Sequence, residues 1–318
     1  MVFVTLIGLF IAFAYLLNQY LFSFWSNRGF KQMNPTFLIG DAGPMFQMKK
    51  SVGDFCEDIY NKHKSDKLVG IYMTYRRALV VNDPKLVSNI LIRDFNSFTD
   101  RPMPCNTDID PLSGHLFNLP GQQWRDLRVK LSPTFTSGKL KGMFSVIKDT
   151  TKVLEDYLVN NVNSGVNVFE FRDLMARYNT NIISSVAFGI ENDCINDPDH
   201  IFRKMGIKFL EPTTRNKLVG LIVFLGFSPL AYKLKMKLTQ QEFDDFIFDI
   251  VNQTINHREL NNITRNDFMQ LLIQLKNQGY VSADKGESEA DKEQNIKKLT
   301  IAQIAAQVFV FFIAGKIL

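Results

Sequence analysis

Residues 1 to 27 carry no charged side chain, and the run Val2 to Leu17 (VFVTLIGLFIAFAYLL) is apolar almost without a break. It continues through Asn18, Gln19 and Tyr20 into Leu21, Phe22, Phe24 and Trp25 before the first charge, Arg28. As a helix this run is long enough to cross a bilayer. No basic residue precedes it and no small-residue cleavage motif follows before Arg28 and Lys31, so it reads as a retained anchor, with a cleaved signal as the alternative. Arg28, Lys31, Lys49 and Lys50 all lie on its C-terminal side, which puts the bulk of the chain in the cytosol and the N-terminus in the lumen.

Beyond the anchor the pattern changes period. Asn34, Pro35 and Gly40 to Pro44 (GDAGP) punctuate a linker over 28–50. Residues 51–64 set Val52, Phe55, Ile59 and Tyr60 at helical spacing, and 68–75 and 78–81 read as two short strands joined through Arg76 and Arg77. Asp83-Pro84 opens a helix over 85–92. A loop rich in Pro, Asp, Asn and Gly runs from Phe98 to Pro120, suited to the edge of a site or to plain surface. From Gln122 onward the spacing is helical over 122–131, 138–158, 171–188, 196–208, 238–256 and 265–276, with a Gly/Pro-broken apolar region at 218–230. The fold class is therefore mainly α with a small β-sheet.

A charged linker over 281–299 leads into Thr300 to Gly315 (TIAQIAAQVFVFFIAG). That stretch is short for a bilayer and suits a helix buried inside a globular domain. Such a helix needs neighbours on every side. With Leu318 following so soon, much of its apolar surface is expected to stand uncovered.

Composition narrows the chemistry. The 318 residues are 46% hydrophobic, enough for a sizeable core. Lys plus Arg at 37 against Asp plus Glu at 32 gives +5, a mild excess that suits an anionic surface and is too diffuse for nucleic acid. Cys56, Cys105 and Cys194 lie far apart with no CxxC, which disfavours a disulfide scaffold and a cysteine-rich metal site. His63, His115, His200 and His257 have no paired-ligand spacing, so no metal site is assigned to them. GxSxG, GxxxxGK[ST] and GxGxxG do not occur. The triplets at Asn252 and Asn262 face the cytosol in this topology and are expected to be unmodified.

The most informative local feature is Pro120-Gly121 followed by Trp124 and Arg128. A turn feeding a helix with Trp and Arg at i and i+4 points both side chains to one face, where an indole N–H and a guanidinium can grip a carboxylate. An ordinary amphipathic helix, its Trp half-buried and its Arg in solvent, fits the same residues.

Trp124-Arg125-Asp126-Leu127-Arg128, the following Leu131 to Leu140 (LSPTFTSGKL) and the closing Ala305 to Gly315 (AAQVFVFFIAG) resemble an insect microsomal cytochrome P450, a haem-thiolate monooxygenase of the xenobiotic-metabolising type. The resemblance extends to Asp94-Phe95, Phe98, Asp100-Arg101, Pro111 to Pro120 (PLSGHLFNLP), Phe188-Gly189 and Asn261 to Leu275 (NNITRNDFMQLLIQL). It implies the N-terminal portion of the cytochrome P450 fold: an anchor over 1–27, a linker over 28–50, and an incomplete catalytic domain over 51–318 ending in the central helix over the distal haem face. It implies haem as cofactor, with Trp124 and Arg128 on a haem propionate and Ala314 and Gly315 at the start of the oxygen-activating element. Lys316, Ile317 and Leu318 stand where that element's acid and threonine are expected, and none of the three cysteines has the surroundings of the iron ligand, so no complete catalytic set is assigned. Loop 102–120 and helix 300–315 supply the substrate-pocket candidates Phe117, Phe309 and Phe312, the last two equally suited to core packing.

The resemblance further implies lipophilic substrates, an NADPH-dependent cytochrome P450 reductase as electron donor, and the endoplasmic reticulum membrane as location. On this reading the helix at 300–315 packs against the Trp124 helix, with an empty slot beside Arg128. The expectation for this chain alone is an inactive, truncated product. Two other readings stand beside it: a non-catalytic, membrane-tethered isoform that binds no haem, and a helical membrane protein with Thr300 to Leu318 as a second span.

Overall fold

The structure is a computed structural model and describes residues 2–37, 39–47, 49–101, 103–211, 213–224, 228–281 and 298–317. The chain forms two compact units, residues 1–99 with 222–227, and residues 100–221 with 228–318. The charged linker expected at 281–299 falls, but for its ends, outside the described residues.

In the first unit, α1 (Val2–Phe22) is the uninterrupted apolar helix, and Phe3–Phe22 is long and apolar enough to cross a membrane. Most of its side chains from Phe3 to Tyr20 are exposed, Phe10 at 69% and Leu16 at 65%, while Phe22 at its end is buried. Residues 28–50 hold β1 (Lys31–Gln32) and α2 (Gly43–Phe46). Then come α3 (Val52–Lys62), β2 (Leu68–Met73), β3 (Arg76–Val81) and α4 (Pro84–Ser88), which runs on into a wider turn over Asn89–Arg93. Ser51 caps α3 by accepting from Asp54 N at 3.1 Å, while Asp54 returns the bond to Ser51 N.

β1 lies parallel to β2, and β2 pairs antiparallel with β3 from Leu68 opposite Val81 to Met73 opposite Arg76. Arg76 and Arg77 are thus the first residues of β3, not the joint between the strands. The turn falls on Thr74 and Tyr75, with Thr74 in the left-handed region at φ 61°.

The end of α1 is fastened to this sheet. Trp25 donates its indole N–H to Ile71 O at 3.2 Å, its backbone N–H reaches the Tyr72 hydroxyl at 3.2 Å, and Phe22 meets Tyr72 edge-on at 5.0 Å. Gly70 makes room for the indole, because a Cβ there would fall on the Trp25 side chain.

The second unit is helical: α5 (Gly121–Leu131), α6 (Ser137–Asn163), α7 (Phe171–Ile183), α8 (Ile201–Leu210), α9 (Thr214–Phe224, whose last three residues count with the first unit), α10 (Ser228–Lys233), α11 (Gln241–Asn261), α12 (Phe268–Asn277) and α13 (Ile301–Ile317). The helix expected over 171–188 stops being regular at Ile183, and a wider turn over Ser184–Phe188 closes on Gly189 at φ 70°. Arg258 holds the far end of that turn. Buried with Asp267, it makes a paired contact (Nη1 to Oδ1 2.9 Å, Nη2 to Oδ2 2.5 Å) and donates from Nη2 to Gly189 O at 3.3 Å, so a Cβ at Gly189 would strike the guanidinium. Asp267 also caps α12 through Gln270 N at 2.9 Å, so that helix starts at Phe268 and not at 265.

One core runs through this unit, from Leu112 and Leu127 through Phe188, Phe202, Phe243 and Ile247 to Leu272, Val308 and Phe312. α13 sits inside it: Ile304, Ala305, Ala306, Gln307 and Val308 are fully buried and Phe312 is 1% exposed. The expectation of a largely uncovered helix does not hold. Its main neighbours are the 3-10 turn Pro111–Ser113, α7 and α11, and not α5 as the sequence reading had it.

Candidate cofactor and substrate site

Pro120 is extended and Gly121 takes φ +46° with the Asp100 carboxylate beside it, so the loop turns sharply into α5. Leu127 and Leu131 then bury the inner face of the helix, and Trp124, half-buried, packs against the same core. One turn on, Arg128 is exposed, and its guanidinium has no hydrogen-bond or ion-pair partner among the described residues. The pair therefore presents an anchored indole and an open, permanently charged donor fork on adjacent turns, a combination suited to a carboxylate.

The segment before α5 is held at two points. Asp110, 4% exposed, accepts from Leu238 N (3.2 Å), Thr239 N (3.3 Å) and the Thr239 hydroxyl (2.9 Å). Gln307, a polar residue in the middle of α13, accepts from Leu116 N at 3.0 Å and donates to Gly114 O at 3.3 Å. Between those two peptide groups lies His115, buried, its ring 5.8 Å from Phe309 and 6.4 Å from Phe117. Its Nδ1 accepts from Phe117 N at 3.3 Å, which leaves the proton of the neutral ring on Nε2. Burial disfavours the cation and lowers its pKa to about 4.

The sequence-assigned residues separate in the structure. Phe117 is half-exposed, with the Arg101 guanidinium over its ring at 4.9 Å, and Phe309 reaches it through the shared neighbour His115. Phe312 points into the core instead, with Phe188 at 5.6 Å, Phe243 at 6.2 Å and Phe202 at 6.3 Å. Ala314 is exposed, and Gly315 lies so close to Ile183 that a Cβ would fall on its side chain. His115 and Gln307, which hold the segment before α5, carry no assignment from the sequence. The signal for Gln307 was present, since a lone interior amide in an apolar helix must find a partner.

The cysteines are dispersed. Cys56 is exposed on α3; Cys105 donates to Ser113 O at 3.4 Å, and burial raises its pKa; Cys194 is buried, its backbone N–H donating to Asn181 Oδ1 at 2.8 Å. The second unit also has a cavity of about 170 Å³ lined by Asn181, Ser185, Asn192 and Arg265. It is smaller than usual small-molecule sites and involves none of the residues above.

A family model for cytochrome P450 matches residues 35–316. The chain belongs to the cytochrome P450 family. Its relatives include cytochrome P450 6a2 of Drosophila melanogaster, 39% identical across 92% of this chain and 57% of that protein. The probable cytochrome P450 6a21 of the same fly is 41% identical over 92% and 56%, and cytochrome P450 6k1 of Blattella germanica is 37% identical over 95% and 58%. The chain thus spans less than three-fifths of the length of these relatives.

Haem is the cofactor this cytochrome P450 family implies, and the structure allows a test of fit. The charged edge fits: Arg128 is open, fixed in register with Trp124, and chemically matched to a propionate. The apolar side has candidates in Phe309 and in the half-exposed Phe117.

Proposed function

We propose that this chain is part of a haem-thiolate monooxygenase that oxidises lipophilic small molecules such as xenobiotics, using dioxygen and electrons from an NADPH-dependent cytochrome P450 reductase. The family match over 35–316, joined to the open Arg128 beside Trp124, carries this reading. When bound, haem supplies oxygen activation, with a cysteine thiolate favouring O–O cleavage. In this reading Trp124 and Arg128 hold a propionate, and Ala314 and Gly315 lie along the oxygen-binding face. Phe117, Phe309 and Phe312 shape the apolar pocket, Phe312 from behind through the core. Residues 1–27 anchor the protein in the endoplasmic reticulum membrane, N-terminus lumenal, 28–50 connect, and 51–318 face the cytosol.

Taken alone, the 318-residue chain is read as inactive. A cysteine that would hold the haem iron would have to be accessible as a thiolate. Cys105 is kept protonated by burial, Cys194 is enclosed, and Cys56 belongs to the other unit. A reduced carbon monoxide difference spectrum of the purified chain, supplied with haem, tests this. The expected result is no red-shifted thiolate band, and such a band would overturn it. The same null spectrum is what a non-catalytic, tethered isoform gives. Stoichiometric haem uptake that falls tenfold in Arg128→Gln separates the two by showing a retained propionate grip.

A further inference from the structure

The residues just past α1 form a feature the monooxygenase reading does not use. Phe24 carries two guanidinium groups: the carbon of Arg28 lies 3.6 Å from its ring centroid and that of Arg77 lies 3.9 Å away. Two planar cations so close to one point cannot share a face of the ring, so Phe24 is sandwiched between them. Arg28 is further fixed by donating to Phe24 O at 3.3 Å, at the C-terminal end of the apolar segment, where the helix carbonyls favour a cation. Arg77 comes from β3, 49 residues away in sequence, and meets Phe24 because Trp25 and Phe22 fasten that segment to β2. Neither guanidinium has a carboxylate partner among the described residues, and both side chains belong to exposed residues.

Two like charges on either side of one ring repel one another, and the arrangement gains most when an anion with several acceptor oxygens reaches both of them across the ring edge. We propose that Arg28 and Arg77, spaced by Phe24, form a clamp for the phosphate of a net-anionic phospholipid headgroup at the membrane exit of α1. The proposal rests on the reading of α1 as a membrane anchor, which puts Phe24 and Arg28 within the headgroup layer, two and six residues past Phe22. A bound headgroup would tie β3, and with it the sheet, to the bilayer surface.

The test uses the full chain reconstituted into phosphatidylcholine vesicles containing a trace of dansyl-labelled phosphatidylserine or dansyl-labelled phosphatidylcholine, read by energy transfer from Trp25 in a Trp124→Phe background. The clamp predicts stronger transfer to the serine lipid, corresponding to its enrichment around the chain by about fivefold or more. Arg77→Gln should abolish most of that preference. Phe24→Leu should do nearly the same without changing any charge. Lys31→Gln, which removes a nearby charge that does not touch Phe24, should reduce it least. Equal losses from Lys31→Gln and Arg77→Gln, or full retention in Phe24→Leu, would overturn the clamp in favour of general juxtamembrane charge. Competition by millimolar inorganic phosphate as strong as that by excess unlabelled phosphatidylserine would overturn the lipid as occupant. Failure of the chain to float with vesicles at all would instead refute the anchor reading, whereas flotation without lipid preference refutes only the clamp.

Discussion

The chain contains two long helices of nearly unbroken apolar sequence, and they are treated in opposite ways. α1 exposes Phe3, Phe10, Ile11 and Leu16 at more than 60% each, while α13 buries every residue from Ile304 to Phe309. Apolarity alone does not tell the two apart. The difference lies in length and in polar punctuation. α1 has 21 residues and no amide or charged side chain between Thr5 and Asn18, Tyr15 bringing the only hydroxyl there, so it can do without protein partners where lipid surrounds it. α13 has 17, and its Gln307 carries an amide that no hydrocarbon can satisfy; the Gly114 and Leu116 peptide groups satisfy it. Gln307 in mid-helix, unlike Asn18 and Gln19 near the end of α1, thus marks α13 as a helix that must lie against folded chain.

Substitutions on the two helices should therefore diverge, most of all for aromatic rings. Phe312→Ala should cost the second unit about 4 kcal/mol in urea unfolding, whereas Phe10→Ala should leave that transition within about 0.5 kcal/mol and weaken only vesicle association. Equal effects would erase the distinction.

The pH response of the α13 environment comes next in size. His115, against Phe309, has its pKa lowered to about 4 by burial, so the unfolded chain binds the proton first as pH falls. The stability gained from the neutral ring is complete above pH 6.5 and is lost as pH falls from there toward 4, by up to about 3 kcal/mol. Buried Asp41 and Asp244 have raised pKa values and act in the opposite sense, so the quantity to compare is wild type minus His115→Phe across that range. A difference that does not change with pH would remove His115 from the account.

Gln307→Leu should then cost about 2 kcal/mol, because it strands the Leu116 N–H and the Gly114 carbonyl. Urea unfolding would show it, with Gln303→Leu, which removes only the bond from Thr300 N at the partly open start of α13, as the smaller comparison. The smallest contrast is between two glycines. Gly315→Ala should destabilise by about 1 kcal/mol, since the new methyl meets Ile183, and Ile183→Val should recover part of the loss. Gly8→Ala on α1, with nothing near its Cβ position, should be neutral or slightly favourable to helix content by circular dichroism.

What was legible in the sequence follows the same physical line. The helices came from their apolar period, and Ser51 and Asp267 sit at caps whose hydrogen bonds close the first turn of α3 and α12. Boundaries differ from the apolar period where other contacts decide them: Arg258 holds Gly189 at the end of the wider turn after α7, and Thr74 with Tyr75, not Arg76 with Arg77, makes the turn between β2 and β3. Of the candidate site, the pairing of Trp124 with Arg128 is legible because i and i+4 share a face without help from the rest of the fold. The link from Phe117 through His115 to Phe309 is not, since it depends on α13 meeting a segment almost 200 residues earlier, through one hydrogen-bonded side chain.

The claim on which the whole comparison rests is that α1 takes its apolar partners from lipid and α13 takes them from the chain itself. Photolabelling of the full chain in vesicles with a lipid-soluble diazirine, mapped by mass spectrometry, tests it in one step. The account predicts carbene adducts along residues 3–17 and none above background over 301–315; adducts of comparable yield on α13 would make it a second membrane segment and contradict the account.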